Sequence, residues 1–580
     1  MSPEIHSGPE ELVRALVRPG DHLHLAATPA RPNALGYALA RVFGTGGHFT
    51  VSTTGYHSSA HALTLAGAVD KVIAGFLGDT YPSPRPNKLY QHVTEGEPFT
   101  FEPWSLLSYT QRLFAGATGA PYAVTASLSG TDLAEGKGAD LLRVPDPARP
   151  GEELTLVRAL RPDLTLVHGV CADPEGNIAM VPPLGEGPWA AYAAQRGVIA
   201  SVERLVSSEE LRAMADRVVI PGQRVLGLCE APLGAHPQSL RTAGLAGVAG
   251  YLDDYAFLEE IVDDCRAESR GRDWYARWVA GTGSHQGYLD LLGAERRREL
   301  EAAEPSWRRT PPPPAPRPAA PDPAELPATE QERLIVLGAR AVADRVRGGG
   351  YDTLLAGIGS SHLAAWLAAE QLRASGHRVK VMAELGQYGF VPEHGDVFLF
   401  SLRHAASAEA LSGIPEILGG MVAANPRALG VLAAAEVDES GTLNTSRSPD
   451  GRWLTGSGGA NDIAATADCV VIAPASPRRY VPRVAYRTSR GDRVLEVVSQ
   501  FGRFLPAGPG AGFRLASFLT GPGGDQPAAD EAAHRERAAA AEVAARTAWT
   551  VPVAGVVEEK PVTAEELELL RSLDPEGRYR

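Results

Sequence analysis

The segment from Glu304 to Pro327, EPSWRRTPPPPAPRPAAPDPAELP, limits the possible folds of this chain more than any other. Each proline removes a backbone donor and fixes φ, so neither a helix nor a sheet can run through it. An extended polyproline spacer is the expected state. Sequence of globular pattern stands on both sides, which favours a spacer over a docking peptide for partner domains. The chain therefore divides into residues 1–303, a linker at 304–327 and residues 328–580. A length of 580 residues exceeds what one hydrophobic core normally serves and suits that division.

Both flanks read as α/β. Before the linker, DHLHLAA, FTVSTT, KVIAGFLG, LTLVHGV and RVLGLCEAP are short apolar runs of strand length, with helix-like PNALGYALARVF and SSEELRAMA near them. After it, DTLLAGIGS, VKVMAEL, DCVVIAPA and DRVLEVVSQ repeat the pattern. SSHLAAWLAAEQLRASG predicts a helix with Leu363, Trp366, Leu367 and Leu372 near one face and Gly376 as its cap. Apolar strands alternating with helices imply mainly parallel sheets covered on both faces. The halves also echo each other. LTLVHGVCADPEGNIAM and LGVLAAAEVDESGTLNT each run a strand into an Asp-x-x-Gly turn, followed by Asn177 or Asn444. That repetition predicts two related domains. Residues 521–541 read as a mobile loop or an exposed helix. Thr563 and Glu566 form a capping box that opens a short tail helix expected to pack on the second domain.

Composition removes several function classes. A net charge of −14 speaks against a nucleic-acid-binding surface. No apolar run is long enough to span a bilayer, and the N-terminus has no signal pattern, so the expected location is the cytoplasm. Cys171, Cys229, Cys265 and Cys469 are far apart and fit reduced thiols better than disulfides or a zinc site. His57 and His61 have helical metal-ligand spacing, but no third ligand is evident, and no metal is expected. His236 and His404 read as hydrogen-bonding residues. Walker and GxSxG motifs are absent.

Three features can carry chemistry. Gly357-Ile358-Gly359 joins a strand to a helix, where amides can face a negative or carbonyl oxygen. It is either such a loop or a tight turn, and it lacks the full dinucleotide signature. Thr455-Gly456-Ser457-Gly458-Gly459-Ala460-Asn461-Asp462 forms an unobstructed loop whose amides could stabilise an oxyanion. Between them, Glu384 ends a strand and is followed by Gly386. A carboxylate there is poised for nucleophilic or acid/base work, or is a solvated strand-end charge.

Taken in order, these segments resemble the family I CoA-transferases, in particular the glutaconate CoA-transferase branch. GIGSSHLAAWLA, AELGQYGF, LAAAEVDESGTLN and GSGGANDIA resemble the β subunit. GDTYPSPRPNKLYQ, FEPWSLLSYTQRLFAGATGAPYAVTASLSGTDL, HGVCADPEGN, SVERLVSSEEL and EAPLGAH resemble the α subunit. The resemblance implies two related open, mainly parallel α/β domains fused in one chain, working as a homodimer. It also implies an acyl-CoA and a small carboxylic acid as partners, with coenzyme A as substrate and no separate cofactor. Glu384 would be the nucleophile, forming a glutamyl-CoA thioester, and Gly458 and Gly459 the oxyanion donors. Gly357, Gly359, Gly386 and Gly456 would contact substrate, and Glu102 would orient an acceptor carboxylate or activate water. The sequence departs from the family pattern at Ala26-Ala27, where paired glycines are common, and at Leu385. Some relatives of this fold hydrolyse CoA thioesters or open a ring in a cyclic acyl-CoA. Hydrolysis is therefore the alternative outcome, and a non-catalytic acyl-CoA scaffold a third.

Overall fold

A computed structural model describes residues 2–26, 30–302, 327–508, 510–520 and 531–580. The expected linker, apart from Pro327, lies outside the described residues, as does Ala27.

The first half builds one large sheet. In spatial order its main strands are Glu4–His6, Val225–Glu230, Gly197–Leu205, Leu164–Ala172, His22–Leu25, Phe49–Tyr56, Val69–Leu77 and Thr100–Pro103. Every neighbouring pair on this path is parallel. The central strand Leu164–Ala172 is buried along its whole length, which explains why it reads as a continuous apolar run instead of an alternating one. The second half repeats the plan with Lys380–Ala383, Thr353–Ala356, Ala428–Leu432, Asp468–Ile472 and Val494–Val498 in parallel. An antiparallel extension, Gly502–Pro506 and Phe513–Phe518, continues one edge. Together these are the mainly parallel α/β architecture the strand pattern implies.

The helix Ser360–Ala374 is buried on more than one face, with Leu363, Trp366, Leu367 and Leu372 in the core beside Ala364, Ala365, Ala368 and Ala369. Helix Glu330–Gly349 packs beside it on the same sheet, so small residues are needed on the side that faces this neighbour. Gly376 takes φ 83°, a left-handed residue just beyond the helix end, and its amide bonds the Arg373 carbonyl. The two Asp-x-x-Gly turns share one device. The amides of Asp173 and Asp438 bond the carbonyls of Asn177 and Thr442, while Gly176 and Gly441 take φ 88° and 80°. Their settings differ: Asp173 directly follows a strand of the large sheet, whereas Asp438 ends a strand of a separate three-stranded sheet.

The two halves are stitched together by Thr455–Asp462. The Leu77 amide donates to the Thr455 carbonyl (2.8 Å), Gly458 N–H to the Gly75 carbonyl (3.0 Å), and Leu106 N–H to the Gly458 carbonyl (3.1 Å). Asp462 accepts from the Leu107 amide (2.9 Å) and from Ser127 Oγ (2.6 Å), and Asn461 Oδ1 accepts from the Leu128 amide (2.9 Å). These groups are buried, so each bond satisfies a donor that would otherwise be stranded.

Residues 521–530 lie outside the described residues, and Glu531–Arg546 is a helix. The tail helix Ala564–Leu573 starts at Thr563 with both capping-box bonds made. It buries Leu567, Leu570 and Leu573, while Arg571 and Arg580 pair with the fully buried Glu332. Beyond the helix, Tyr579 bonds the Pro82 carbonyl and Arg578 pairs with Glu259, both in the first half. Among the described residues no helix is long and apolar enough to cross a membrane, and the four cysteines are free and buried. Leu570 is fully buried in the same core as Ser360–Ala374. Leu570→Ala should therefore cost about 2–5 kcal/mol in chemical denaturation. An unchanged midpoint would show that the tail adds nothing to that core.

Candidate active site

Glu384 sits at the carboxyl end of strand Lys380–Ala383, where the chain turns sharply and returns as Gln387–Tyr388. Gly386 makes this turn possible. Its φ is 124°, and a β-carbon there would overlap the Ser412 carbonyl. The hairpin aims the Glu384 carboxylate at the loop Gly456–Gly459, just before the helix Ala460–Thr466. A β-carbon at Gly459 would overlap Glu384 Oε2, and one at Gly458 (φ 49°) would lie 4.0 Å from Oε1. Only glycine lets the backbone come this close.

Burial pushes the Glu384 carboxyl up to about 8, and the charge of Asp462 adds to the rise; the Gly459 amide against the carboxylate partly offsets it. Asp462 is itself raised to about 6 by burial, against the pull of hydrogen bonds from Leu107, Ser105 and Ser127. Two carboxyls of one sign thus share a dry environment at the junction of the halves.

Glu384 opens onto a cavity of about 80 Å³. Arg31, Thr54, His57 and Gln238 line it from the first half, and Ile358, Leu385, Phe398 and Gly458 are among the residues lining it from the second. The structure thus brings Glu384, Gly458 and Gly459 together. Of the Gly357–Gly359 loop, Ile358 reaches the cavity wall and its two glycines do not. Gly386 supports the hairpin, and Gly456 packs against the Gly75 carbonyl (3.1 Å from a would-be β-carbon) and Trp453, so it serves the junction. Glu102 lies elsewhere. It pairs with Lys71 (2.7 Å) and Arg112 (3.2 Å), accepts from Trp104 Nε1 (2.7 Å), and is not on the cavity wall. Burial opposes its ionisation, but Lys71 and Arg112 prevail and hold it at about 2. Engaged by these three donors, Glu102 stands outside the cavity onto which Glu384 opens.

Of the two spaced histidines, His57 lines the cavity and accepts from Arg31 Nη2 (2.8 Å). His61 is buried between Tyr90 (2.6 Å) and Asp79 (3.1 Å). Among the described residues no group of three or more His, Cys, Asp or Glu side chains is arranged to hold a metal. His236 bonds Tyr288 and Asp254, and His404 bonds the Phe398 carbonyl, both inside the core. Sequence reasoning missed Arg31, Gln238 and the role of Asp462. Asp462 stood in a recognised motif, and Arg31 in the segment that departs from the family pattern. Neither carried a local signal of its partners.

Residues 7–230 match the sequence family described as Coenzyme A transferase. The chain is 35% identical over 169 residues to one subunit of the 3-oxoadipate CoA-transferase of Pseudomonas knackmussii, covering 29% of this chain and 55% of that protein. It is 28% identical over 197 residues to one subunit of the glutaconate CoA-transferase of Acidaminococcus fermentans, covering 31% and 59%. The chain spans between half and three-fifths of the length of the curated relatives it matches. The crystal structure of an acyl-CoA transferase from Escherichia coli O157:H7 superposes with a TM-score of 0.63 at 14% identity, covering 96% of this chain and 95% of that one. The coenzyme A transferase fold therefore extends through both halves in a single polypeptide.

The raised Glu384 carboxyl has a consequence for stability. A folded-state value near 8, above the ordinary 4.5, means that the native protein holds a proton there that the unfolded chain has lost. This group's contribution is thus full below about pH 4.5 and is lost as pH rises towards 8. Glu384→Gln, which cannot ionise, should gain at least about 1 kcal/mol over the native protein on going from pH 5 to pH 8.5. Parallel stability curves for the two proteins would contradict the raised value.

Proposed function

We propose that this chain transfers coenzyme A between an acyl-CoA and a carboxylic acid through a thioester on Glu384. Glu384 attacks the thioester carbonyl, a mixed anhydride forms, and CoA leaves as the thiolate. The thiolate then attacks the glutamyl carbonyl, so the acid departs and CoA stays bound to Glu384. A second carboxylate reverses both steps and leaves as its CoA ester. One thioester replaces another, so the bond energy is retained throughout, and no oxidant or metal is required.

The observation that carries this reading is the Glu384 carboxylate packed so closely on Gly459 that no side chain fits between them. The Gly458-Gly459 backbone is the candidate oxyanion donor when the glutamyl carbonyl becomes tetrahedral. Burial gives the carboxylate high basicity, which strengthens it as a nucleophile once ionised. The acyl-CoA transferase from E. coli has been crystallised as a thioester complex with CoA, and its fold matches this chain. That likeness supports a covalent route.

The direct test is mass spectrometry of the digested protein after incubation with acyl-CoA. A CoA adduct on Glu384 and label exchange into added carboxylate are expected. Acid released without any acceptor would favour hydrolysis instead. Glu384→Ala should lose exchange by at least about a thousandfold; exchange at the native rate would refute the role of this residue. Since the free carboxyl lies near 8, kcat/KM for the acyl-CoA should rise about tenfold per pH unit below that value and level off above it. A flat profile from pH 6 to 9 would show that ionisation of Glu384 does not limit the first half-reaction.

A further inference from the structure

The cavity at Glu384 is smaller than what must enter it. A volume of about 80 Å³ holds several water molecules. Pockets that enclose a small ligand measure about 300–1,000 Å³. An acyl group and the thioester arm of CoA therefore need the walls to part. Those walls come from both halves, which meet around the cavity in two ways. At Thr455–Asp462 they are joined by buried hydrogen bonds, and separation there would strand donors. On the other side they meet through rings. Tyr81 and Leu258 of the first half pack on Phe398 of the second in a small cluster apart from the large cores, and all three line the cavity. Tyr81 stacks on Tyr255 (centroids 4.6 Å apart) and meets the Phe398 ring edge-on (5.5 Å). The Tyr255 hydroxyl, donating to Asp396 (2.9 Å), adds a polar tie. Ring contacts part without stranding a donor, so this is the side suited to open.

The segment after the tail helix lies across that side. It is anchored in the second half, where the fully buried Asp574 accepts from the Arg578 and Tyr579 amides (2.9 Å each) and Arg580 pairs with Glu332. From there it reaches the first half. Arg578 pairs with Glu259, which follows Leu258, and its guanidinium stands 5.7 Å from the Tyr81 ring centre. Tyr579 donates its hydroxyl to the carbonyl of Pro82, next to Tyr81. The Tyr579 ring also meets His362 of the second half edge-on at 5.1 Å. His362 accepts from the Gly359 amide (2.8 Å) and donates to the Val397 carbonyl (3.1 Å), beside the wall residues Ile358 and Phe398. Two neighbouring side chains thus hold both walls at once.

We propose that Arg578 and Tyr579 form a latch across the aromatic wall of the cavity. Fastened, it keeps Tyr81 against Phe398 and the cavity too small for an acyl-CoA. Released, it lets the walls separate and admits one. That the incoming ligand is an acyl-CoA rests on the function proposed above, whereas the latch is a property of the walls alone. Both are positioning residues: they act on access, through Tyr81 and His362, and touch no reacting atom.

Access is measured without turnover. Thr54 lines the cavity and is 2% exposed, while none of the four buried native cysteines lines it. In a Thr54→Cys protein, N-ethylmaleimide labelling of the introduced thiol, followed peptide by peptide in a mass spectrometer, reports how readily the walls part. Adding Tyr579→Phe together with Arg578→Met should speed that labelling about tenfold, the size expected for a lost hydrogen bond and a partly exposed ion pair. Cys469, in a core of the second half, should label no faster. Glu259→Gln removes the partner of Arg578 from the opposite half and leaves the tail intact. It should give about a threefold rise, and it decides the matter if the tail variants do not fold. No change at the introduced thiol in these variants, or an equal rise at Cys469, would overturn the latch. Faster labelling with no CoA adduct on Glu384 in the native protein would leave the latch standing and defeat the transfer mechanism instead. An adduct without faster labelling would do the reverse.

Discussion

The site depends on how Asp462 and Asn461 of one half cap the backbone of the other. Leu107, Ser127 and Leu128 donate to them from the first half, inside a region closed to water. Without these acceptors, three donors would be stranded in the interface, at about 1–3 kcal/mol each. With them, the loop Gly456–Gly459 is held against strand Val69–Leu77, and the same loop forms the floor on which Glu384 rests. One short segment thus joins the halves, shapes the candidate site and, through the Asp462 charge, helps to set the basicity of Glu384.

Much of this could be read from the residues. Continuous apolar strands ending in glycine-rich turns predict parallel sheets with functional groups at their carboxyl ends, and Glu384 stands at such an end. The loop Thr455–Asp462 was recognisable because three glycines in four residues serve little purpose unless a backbone must approach something closely.

What could not be read was decided by distant partners. Glu102 stands out in the sequence only through the resemblance of its segment, FEPWS. Lys71 comes from the adjacent strand and Arg112 from the following helix, and only the fold gathers them around it. Arg31 is the opposite case. An arginine before a proline in a loop looks like an ordinary solvated charge, and its place on the cavity wall is visible only once Gly55 and His57 bond it. Complementarity between groups far apart in sequence leaves no periodic trace, so pattern reading finds the strand end but not the pocket.

The buried seam between the halves would also govern when the proposed chemistry becomes possible. Glu384 owes its raised basicity first to exclusion of water, and the loop on which it rests is bonded to Gly75 and Leu106 of the first half. A chain whose halves had each folded but not yet met would carry a hydrated, fully ionised glutamate at the same place, a weak nucleophile facing bulk solvent. On the proposed route, capture of CoA before the halves dock would thereby be disfavoured. Docking of the halves would then act as the chemical switch for that route.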